Sequence, residues 1–350
     1  MTHIPSRLLV TGAAGFIGSN FVHYWLKQHP SNTVYALDAL TYAGNRENLA
    51  GVEANPKFEF VKANILNTDL VEALLKDSHV DTIVHFAAES HVDRSIHGPD
   101  AFFRTNIEGT HSLLKAAKKV WLDGYKPHHR FHHVSTDEVY GTLMPDAPAF
   151  TEKNQYLPSS PYAASKASSD HVVRSYQHTY GLNTTISNCS NNYGPFQFPE
   201  KLIPLIIASC LDGKPVPIYG DGKQVRDWLF VEDHNRAIEL IIRNGTIGNS
   251  YNIGGNNEWS NIDLANYICT SMDEHHPKGA PHYNLITYVK DRLGHDRRYA
   301  INARKIADEL GFEPLEKFET GIRKTILWYF KNEVWWRKVM DGSYKKMDEC

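Results

Sequence analysis

Short apolar runs alternate along the chain with longer stretches whose hydrophobic positions recur every three or four residues. Arg7-Leu-Leu-Val-Thr11 reads as a buried strand, followed at once by Gly12-Ala-Ala-Gly15-Phe-Ile-Gly18 and a helix to about Gln28. Further strands are predicted over Thr33–Asp38, Phe58–Lys62, Thr82–Phe86, the run from Arg130 to Thr136, and Thr184–Asn188. Helical patterns lie between them, near Asp69–Lys76, through Thr105 and Asn106 to about Val120, and from Tyr162 to about Tyr180. Strands separated by helices at this spacing predict an α/β chain with a doubly wound parallel sheet. Beyond Asn188 the pattern changes, as Pro195, Pro199, Pro204, Pro215 and Pro217 punctuate loops and short helices. The expectation is a first domain over residues 1–190 and a smaller one over 191–350, with some later segments returning to the first.

The strand, glycine turn and helix at the start make a phosphate cradle. Gly12, Gly15 and Gly18 let the backbone approach a pyrophosphate, and the helix N-terminus supplies amides and positive dipole. A glycine cluster alone serves equally as a plain turn. The next strand, however, ends in Asp38, about 20 residues past the last glycine, where an acid bonds ribose hydroxyls and repels a 2′-phosphate. The preferred cofactor is therefore NAD rather than NADP. Ala87, Ala88 and Ser90, at the carboxyl end of a strand, are small enough to pass close to its ribose.

Ser135-Thr-Asp-Glu-Val-Tyr-Gly141 carries the densest chemistry: a strand ends in a hydroxyl, Thr136, and two adjacent carboxyls, Asp137 and Glu138. Acids sharing a pocket can hold different protonation states, although an acidic pair by itself is more often a solvated loop feature. Tyr162 and Lys166, four residues apart, share one helix face. An ammonium close to a phenol is expected to lower the phenol's pKa and make it a usable base for an alcohol proton. Arg226 follows a glycine turn and reads as a diphosphate clamp or a surface ion pair. Asp291-Arg-Leu-Gly-His-Asp-Arg-Arg298 is an anion loop or a solvated charge run, and the aromatic tail from Thr325 to Arg337 is core or interface.

Composition narrows the classes. At 350 residues and 41% hydrophobic, the chain can build one large core or two. A net charge of -3 without a basic tract argues against nucleic acid as partner. The N-terminus lacks a signal-peptide pattern and no apolar run approaches the roughly 18 residues of a membrane span, so no membrane association and a cytoplasmic location are expected. Cys189, Cys210, Cys269 and Cys350 lack metal or disulfide spacing and are read as free thiols. The 19 histidines include three adjacent pairs but no ligand motif, and no metal is expected.

Taken together, these residues resemble the extended short-chain dehydrogenase/reductases, and within them the dTDP-glucose 4,6-dehydratases. The resemblance runs through Thr11–Gly18, Leu40–Asn45, Ala87–Asp93, Ser135–Gly141, Tyr162–Lys166, Ser190–Pro195, Pro199–Pro204 and Gly294–Ala300. It implies a Rossmann-type sheet with a smaller C-terminal substrate-binding domain, a tightly held NAD regenerated in each turnover, dTDP-glucose as substrate, and a homodimer through the long helices near 101–120 and 160–180. It further implies that Tyr162, supported by Lys166, takes the proton of the sugar C4 hydroxyl while hydride leaves for NAD. Thr136 would bond the C4 oxygen, Glu138 remove the C5 hydrogen, and a protonated Asp137 donate to the departing C6 hydroxyl, before hydride returns to C6. The cofactor would meet Phe16, Ile17, Asp38, Thr41, Asn64, Ile65, Ala87, Ser90, Thr105 and Asn192, besides the glycines, Ala88, Tyr162 and Lys166. The substrate would meet Ser90, Thr136, Asn191, Lys201, Leu202, Pro217, Tyr219, Arg226, Asn261, Arg292 and His295, with Arg226 and Arg292 on the diphosphate. Asn64 and Leu293 depart from the family's usual aspartate and proline. A UDP-glucose 4,6-dehydratase or a 4-epimerase would share Tyr162 and Lys166, and a silent NAD-binding scaffold is the reading from outside the enzymes.

Overall fold

The computed structural model describes residues 2–348, so Cys350 lies outside them. The apolar run at the start becomes β1 (Arg7–Thr11), whose inward residues are fully buried, and the glycine turn delivers the chain into α1 (Phe16–Gln28). β2 (Thr33–Asp38), β3 (Phe58–Lys62), α2 (Thr68–Asp77) and β4 (Thr82–His85) continue the alternation. The short helices α3 (Val92–His97) and α4 (Asp100–Phe102) lead through a π-helical turn at Phe103–Gly109 into α5 (Thr110–Ala117). β5 (Arg130–Thr136), α6 (Pro161–Tyr180) and β6 (Thr184–Cys189) complete this part. α6 starts where Ser160 Oγ accepts the Ala163 amide and Pro161 occupies the first turn, and it stops at left-handed Gly181.

The later chain supplies β7 (Asn191–Tyr193), α7 (Leu202–Asp212), β8 (Val216–Tyr219), β9 (Val225–Phe230), α8 (Val231–Asn244), β10 (Ser250–Ile253) and β11 (Glu258–Ser260). It ends in α9 (Asn261–His275), β12 (Ile286–Val289), α10 (Arg304–Leu310), α11 (Phe318–Lys331) and α12 (Glu333–Asp341). Seven strands form one parallel sheet in the order β10-β6-β5-β4-β1-β2-β3, confirming the doubly wound α/β architecture. The order reverses between β1 and β4, which opens a crevice at the carboxyl ends of the strands. β10 comes from the later half yet pairs with β6, Ser250 opposite Ile186. A second apolar core gathers α7, α9, α11 and α12, among them Ile203, Ile207, Leu264, Ile322 and Trp336.

β5 is buried along its whole length although it carries Arg130, His132 and His133. Helices cover both faces of the sheet, so these polar groups find partners inside it. Arg130 Nη1 donates to the Gly245 carbonyl at 2.9 Å, and His132 bonds Thr185 and Ser187 at 3.0 and 3.1 Å. His133 points the other way, towards Ser169 and Asp170 of α6.

Two glycines permit the first turn. Gly12 has φ +68°, and a Cβ there would lie 2.6 Å from the Ala87 nitrogen. A Cβ on Gly18 would lie 2.1 Å from the Gly12 carbonyl oxygen, so α1 packs directly on the turn. Gly18→Ala is expected to lower the unfolding free energy by about 2–3 kcal/mol, the scale of overpacking. Urea titration checks this, and a variant as stable as the parent would contradict the packing.

Candidate active site

The crevice above β1 and β4 is lined by every position the sequence assigned to the cofactor. Gly12, Gly15, Phe16, Ile17 and Gly18 form one wall, Asp38, Thr41, Asn64 and Ile65 the far end, and Ala87, Ala88, Ser90, Thr105, Tyr162, Lys166 and Asn192 the remainder. Asp38 ends β2 and is held there: its carboxylate accepts the Ala14 amide at 2.9 Å and the Leu40 amide at 2.8 Å. Leu40 sits in the left-handed region at φ 52°, which folds the 39–48 loop back over this end. Asn64 Oδ1 accepts the Leu66 amide at 2.9 Å, so this departure is accommodated within a local turn. A glycine cradle that side chains would fill, opposite a terminal acid, fits a dinucleotide.

At the other end, Thr136 closes β5 and caps the 3₁₀ turn Asp137–Tyr140, its Oγ1 accepting the Glu138 amide at 3.2 Å and donating to Asp137 Oδ1 at 3.3 Å. The solvated-loop alternative for the acids fails, because Asp137 is only 2% exposed. Burial, followed by Glu138 and Asp227, pushes its carboxyl well above the usual range. Glu138 is raised too, mainly by burial, but Arg292, Arg226 and Lys201 oppose the shift. The pair is thus split, with Asp137 in its acid form and Glu138 the better-supported anion.

One expectation is corrected. Tyr162 is not brought down by Lys166 in the protein alone: burial and then Glu138 hold the phenol well above its usual value. Lys166, lowered by burial to about 8, donates to the Val134 carbonyl at 2.8 Å and lies 3.5 Å from His133 Nε2. Helical spacing placed both residues on one face but could not reveal how dry that face is. Tyr162 lines the crevice with Thr136, Asp137 and Glu138, and its phenol feels both carboxyls, which puts phenol, hydroxyl and both acids in one group.

Of the positions assigned to substrate, Ser90, Thr136, Asn191 and Lys201 line the same crevice, and Lys201 Nζ donates to the Ser90 carbonyl at 3.4 Å. Leu202 follows at the start of α7. The others lie outside that lining: Pro217 and Tyr219 on β8, Arg226 on β9, Asn261 opening α9, and Arg292 and His295 in the loop after β12. Arg226 is no surface ion pair, being 5% exposed with Nη1 on the Val225 carbonyl at 2.7 Å and Nη2 on that of Asp296 at 3.0 Å. Arg292 meets Asp93 at 3.2 Å, and His295 meets Asp291 at 2.6 Å. Leu293, the second departure, is 78% exposed.

Several residues escaped the sequence reading. Asn106, in the π-helical turn, accepts the Glu89 amide at 2.9 Å and donates to the Glu89 carbonyl and Ser165, tying the end of β4 to α6. Tyr42, Asn45, Asn48, Cys189, Phe196, Gln197, Phe198 and Glu200 also line the crevice. So do Trp335 and Val339 of the aromatic tail, with Trp335 Nε1 donating to Asn48 Oδ1 at 2.9 Å. Helical aromatic spacing signalled burial for that tail, not its destination. Cys189, Cys210 and Cys269 are free and buried, and no cluster able to hold a metal occurs among the described residues. No helix among them is long and apolar enough to cross a membrane.

The GDP-mannose 4,6 dehydratase family model matches residues 9–325. A dTDP-glucose 4,6-dehydratase from Salmonella typhimurium is 52% identical over 98% of both chains, and one from Xanthomonas campestris pv. campestris is 54% identical over 96% of this chain and 97% of its own. A solved dTDP-glucose 4,6-dehydratase from Streptomyces venezuelae with NAD bound superimposes with TM-score 0.87 at 46% identity, covering 95% of this chain and 99% of the other. A UDP-glucose 4-epimerase from Thermotoga maritima shares the scaffold, at TM-score 0.82 but 27% identity, over 93% of this chain and 99% of the other. With this likeness spanning crevice, acid pair and later core alike, the chain belongs to the dTDP-glucose 4,6-dehydratases.

Proposed function

We infer that the chain is a hydro-lyase that converts dTDP-glucose to dTDP-4-keto-6-deoxyglucose with NAD. The observation that carries the reading is the acid pair, Asp137 buried and Glu138 half-buried, beside Tyr162 at the mouth of a dinucleotide cradle. Bound NAD supplies the hydride acceptor for C4 and the donor for C6.

Tyr162 receives the C4 hydroxyl proton, and Thr136, which lines the same crevice, would bond the C4 oxygen. Burial and Glu138 hold the phenol up in the protein alone, so the phenolate would need the positive charge of the buried Lys166, one helical turn along, together with that of the nicotinamide in bound NAD. Once C4 is a ketone, the C5 hydrogen becomes acidic, and Glu138, flanked by three cations, is the base that removes it. Asp137 keeps its proton because its site is dry and anionic, and gives it to the C6 hydroxyl as water departs. An epimerase has no elimination step and no use for such a pair. Arg226, Arg292 and Lys201 act on Glu138 electrostatically, with His295 near the two arginines, and on this reading they would meet the nucleotide diphosphate while Asn191, Leu202, Pro217, Tyr219 and Asn261 would complete the substrate side.

The same reading carries the division at residue 190, a cytoplasmic homodimer through the helices near 101–120 and 160–180, and supply of a 4-keto-6-deoxy sugar to deoxysugar synthesis, rhamnose being the commonest use. Light scattering coupled to size exclusion checks the dimer. The reaction is tested by incubating the purified protein, without added cofactor, with dTDP-glucose or UDP-glucose in deuterated water. The expected result by NMR is a 4-keto-6-deoxy product with solvent deuterium at C5, formed faster from dTDP-glucose. A galactose epimer that keeps its C6 hydroxyl would overturn it.

A further inference from the structure

Behind Tyr162 and Lys166, on the side away from the crevice, lies a charged group that the reaction as described does not use. Asp170 follows Lys166 by one helical turn of α6 and is 0% exposed. Its Oδ2 accepts the Tyr156 hydroxyl at 2.8 Å and Asn188 Nδ2 at 3.2 Å, and its Oδ1 lies 3.3 Å from His133 Nε2. Arg174, a further turn along, donates to the Tyr156 hydroxyl at 2.7 Å. Asn188 Nδ2 also donates to the Thr136 carbonyl at 3.2 Å. One buried carboxylate therefore touches, through single intermediates, both the lysine behind the phenol and the strand end that carries Thr136.

We propose that Asp170 is a positioning residue for the reaction: its buried carboxylate keeps Lys166 in the ammonium form behind Tyr162 and, through Asn188, holds the end of β5 in place. The proposal rests on Tyr162 and Lys166 acting as the base at C4. An isolated carboxylate in this interior would neutralise itself, but the Tyr156 hydroxyl and the Asn188 amide donate to Oδ2, and His133, Lys166 and Arg174 lie near, so its carboxyl lies below the ordinary range despite the burial that opposes this. The groups facing Lys166 are His133 of β5, His85 of β4, Cys189 of β6 and Asp170 on its own helix. Both histidines are held neutral by burial and the Cys189 thiol is pushed up to about 12, so Asp170 is the anion among them. Facing Asp170 are His133, Lys166, Arg174, Tyr156 and, from the 3₁₀ turn, Tyr140.

Removing the charge should let Lys166 lose its proton at lower pH. In Asp170→Asn, the alkaline limb of the kcat profile is expected to move down by about one pH unit or more, the effect of losing one nearby opposite charge. The plateau below the limb should persist, and circular dichroism and NAD content should match the parent. Asp170→Glu, which keeps the charge, should leave the limb in place even where repacking lowers kcat. A fall by one factor at every pH in Asp170→Asn would overturn the proposal in favour of a purely architectural role. If Asp170→Asn does not accumulate, a downward limb in Asp170→Glu overturns it instead. Lys166→Met separates the two readings: a parent-like profile there would sink the assignment of the base itself, whatever Asp170 does.

Discussion

Asp137→Asn is expected to lower formation of the 4-keto-6-deoxy product by about a hundredfold to ten-thousandfold, the usual worth of a positioned acid, while the C5 hydrogen still exchanges with solvent deuterium. The side chain occupies a site 2% exposed, and its Oδ2 has no hydrogen-bond partner among the described residues. Such an oxygen is costly as an anion and serviceable as a proton carrier. Asparagine preserves the shape and the contact with Thr136 but has no proton to release to a leaving hydroxyl. Glu138→Gln should behave differently, losing product formation and C5 exchange together, because it removes the base on which both depend. The two variants are read in one NMR experiment in deuterated water. Equal loss of exchange in both would mean that acid and base are not divided between these positions.

Stability should fall steeply as the solution is acidified from about pH 6.5, well before ordinary carboxylates titrate. His85, His132, His133 and His234 are fully buried and bonded mainly to hydroxyls, an amide and backbone-anchored groups. Burial holds His133 down to about 4, His234 to about 3, and the other two well below their usual value. Depressed histidines contribute nothing at neutral pH, where both folded and unfolded chains leave them uncharged. Below the unfolded value near 6.5 the unfolded chain binds protons that the folded chain refuses, so stability is lost until the folded values are reached. Asp137 opposes this, since its folded form already carries a proton that the unfolded form lacks. Each such histidine takes away about 1.4 kcal/mol per pH unit once the unfolded value is passed, and Asp137 with the other raised acids, Glu138 and Asp227 among them, offsets part of the sum. Urea unfolding at steps between pH 7.5 and 5 measures it, and His132→Gln should flatten the slope by about 1.4 kcal/mol per pH unit. A stability unchanged across that range would refute the assignment.

Local signals carried the cradle well. Strand, glycine turn, helix and terminal acid are contiguous in the chain, so periodicity and spacing reached Gly12, Gly15, Gly18 and Asp38 directly, and Thr136 to Glu138 stood out because carboxyls end an apolar run. What stayed hidden depends on pairings distant in sequence. The partners of His132 lie more than 50 residues away on β6, and the contact between Trp335 and Asn48 spans 287 residues. No window along the chain joins such pairs. The phenol's environment was misread for a related reason: spacing on a helix gives proximity, whereas the pKa is decided by desolvation, which only the packed neighbours of Tyr162 determine.

The position of β10 has a consequence for how the chain comes off the ribosome. β6, buried on both faces, finishes at Cys189, but its outer neighbour is not synthesised until Ser250–Ile253. Throughout that interval the nascent sheet ends in a row of unpaired amides and carbonyls beside an apolar surface. Any fragment that stops short of Ile253 keeps this open edge permanently, and at high concentration it will satisfy it with a strand from another molecule.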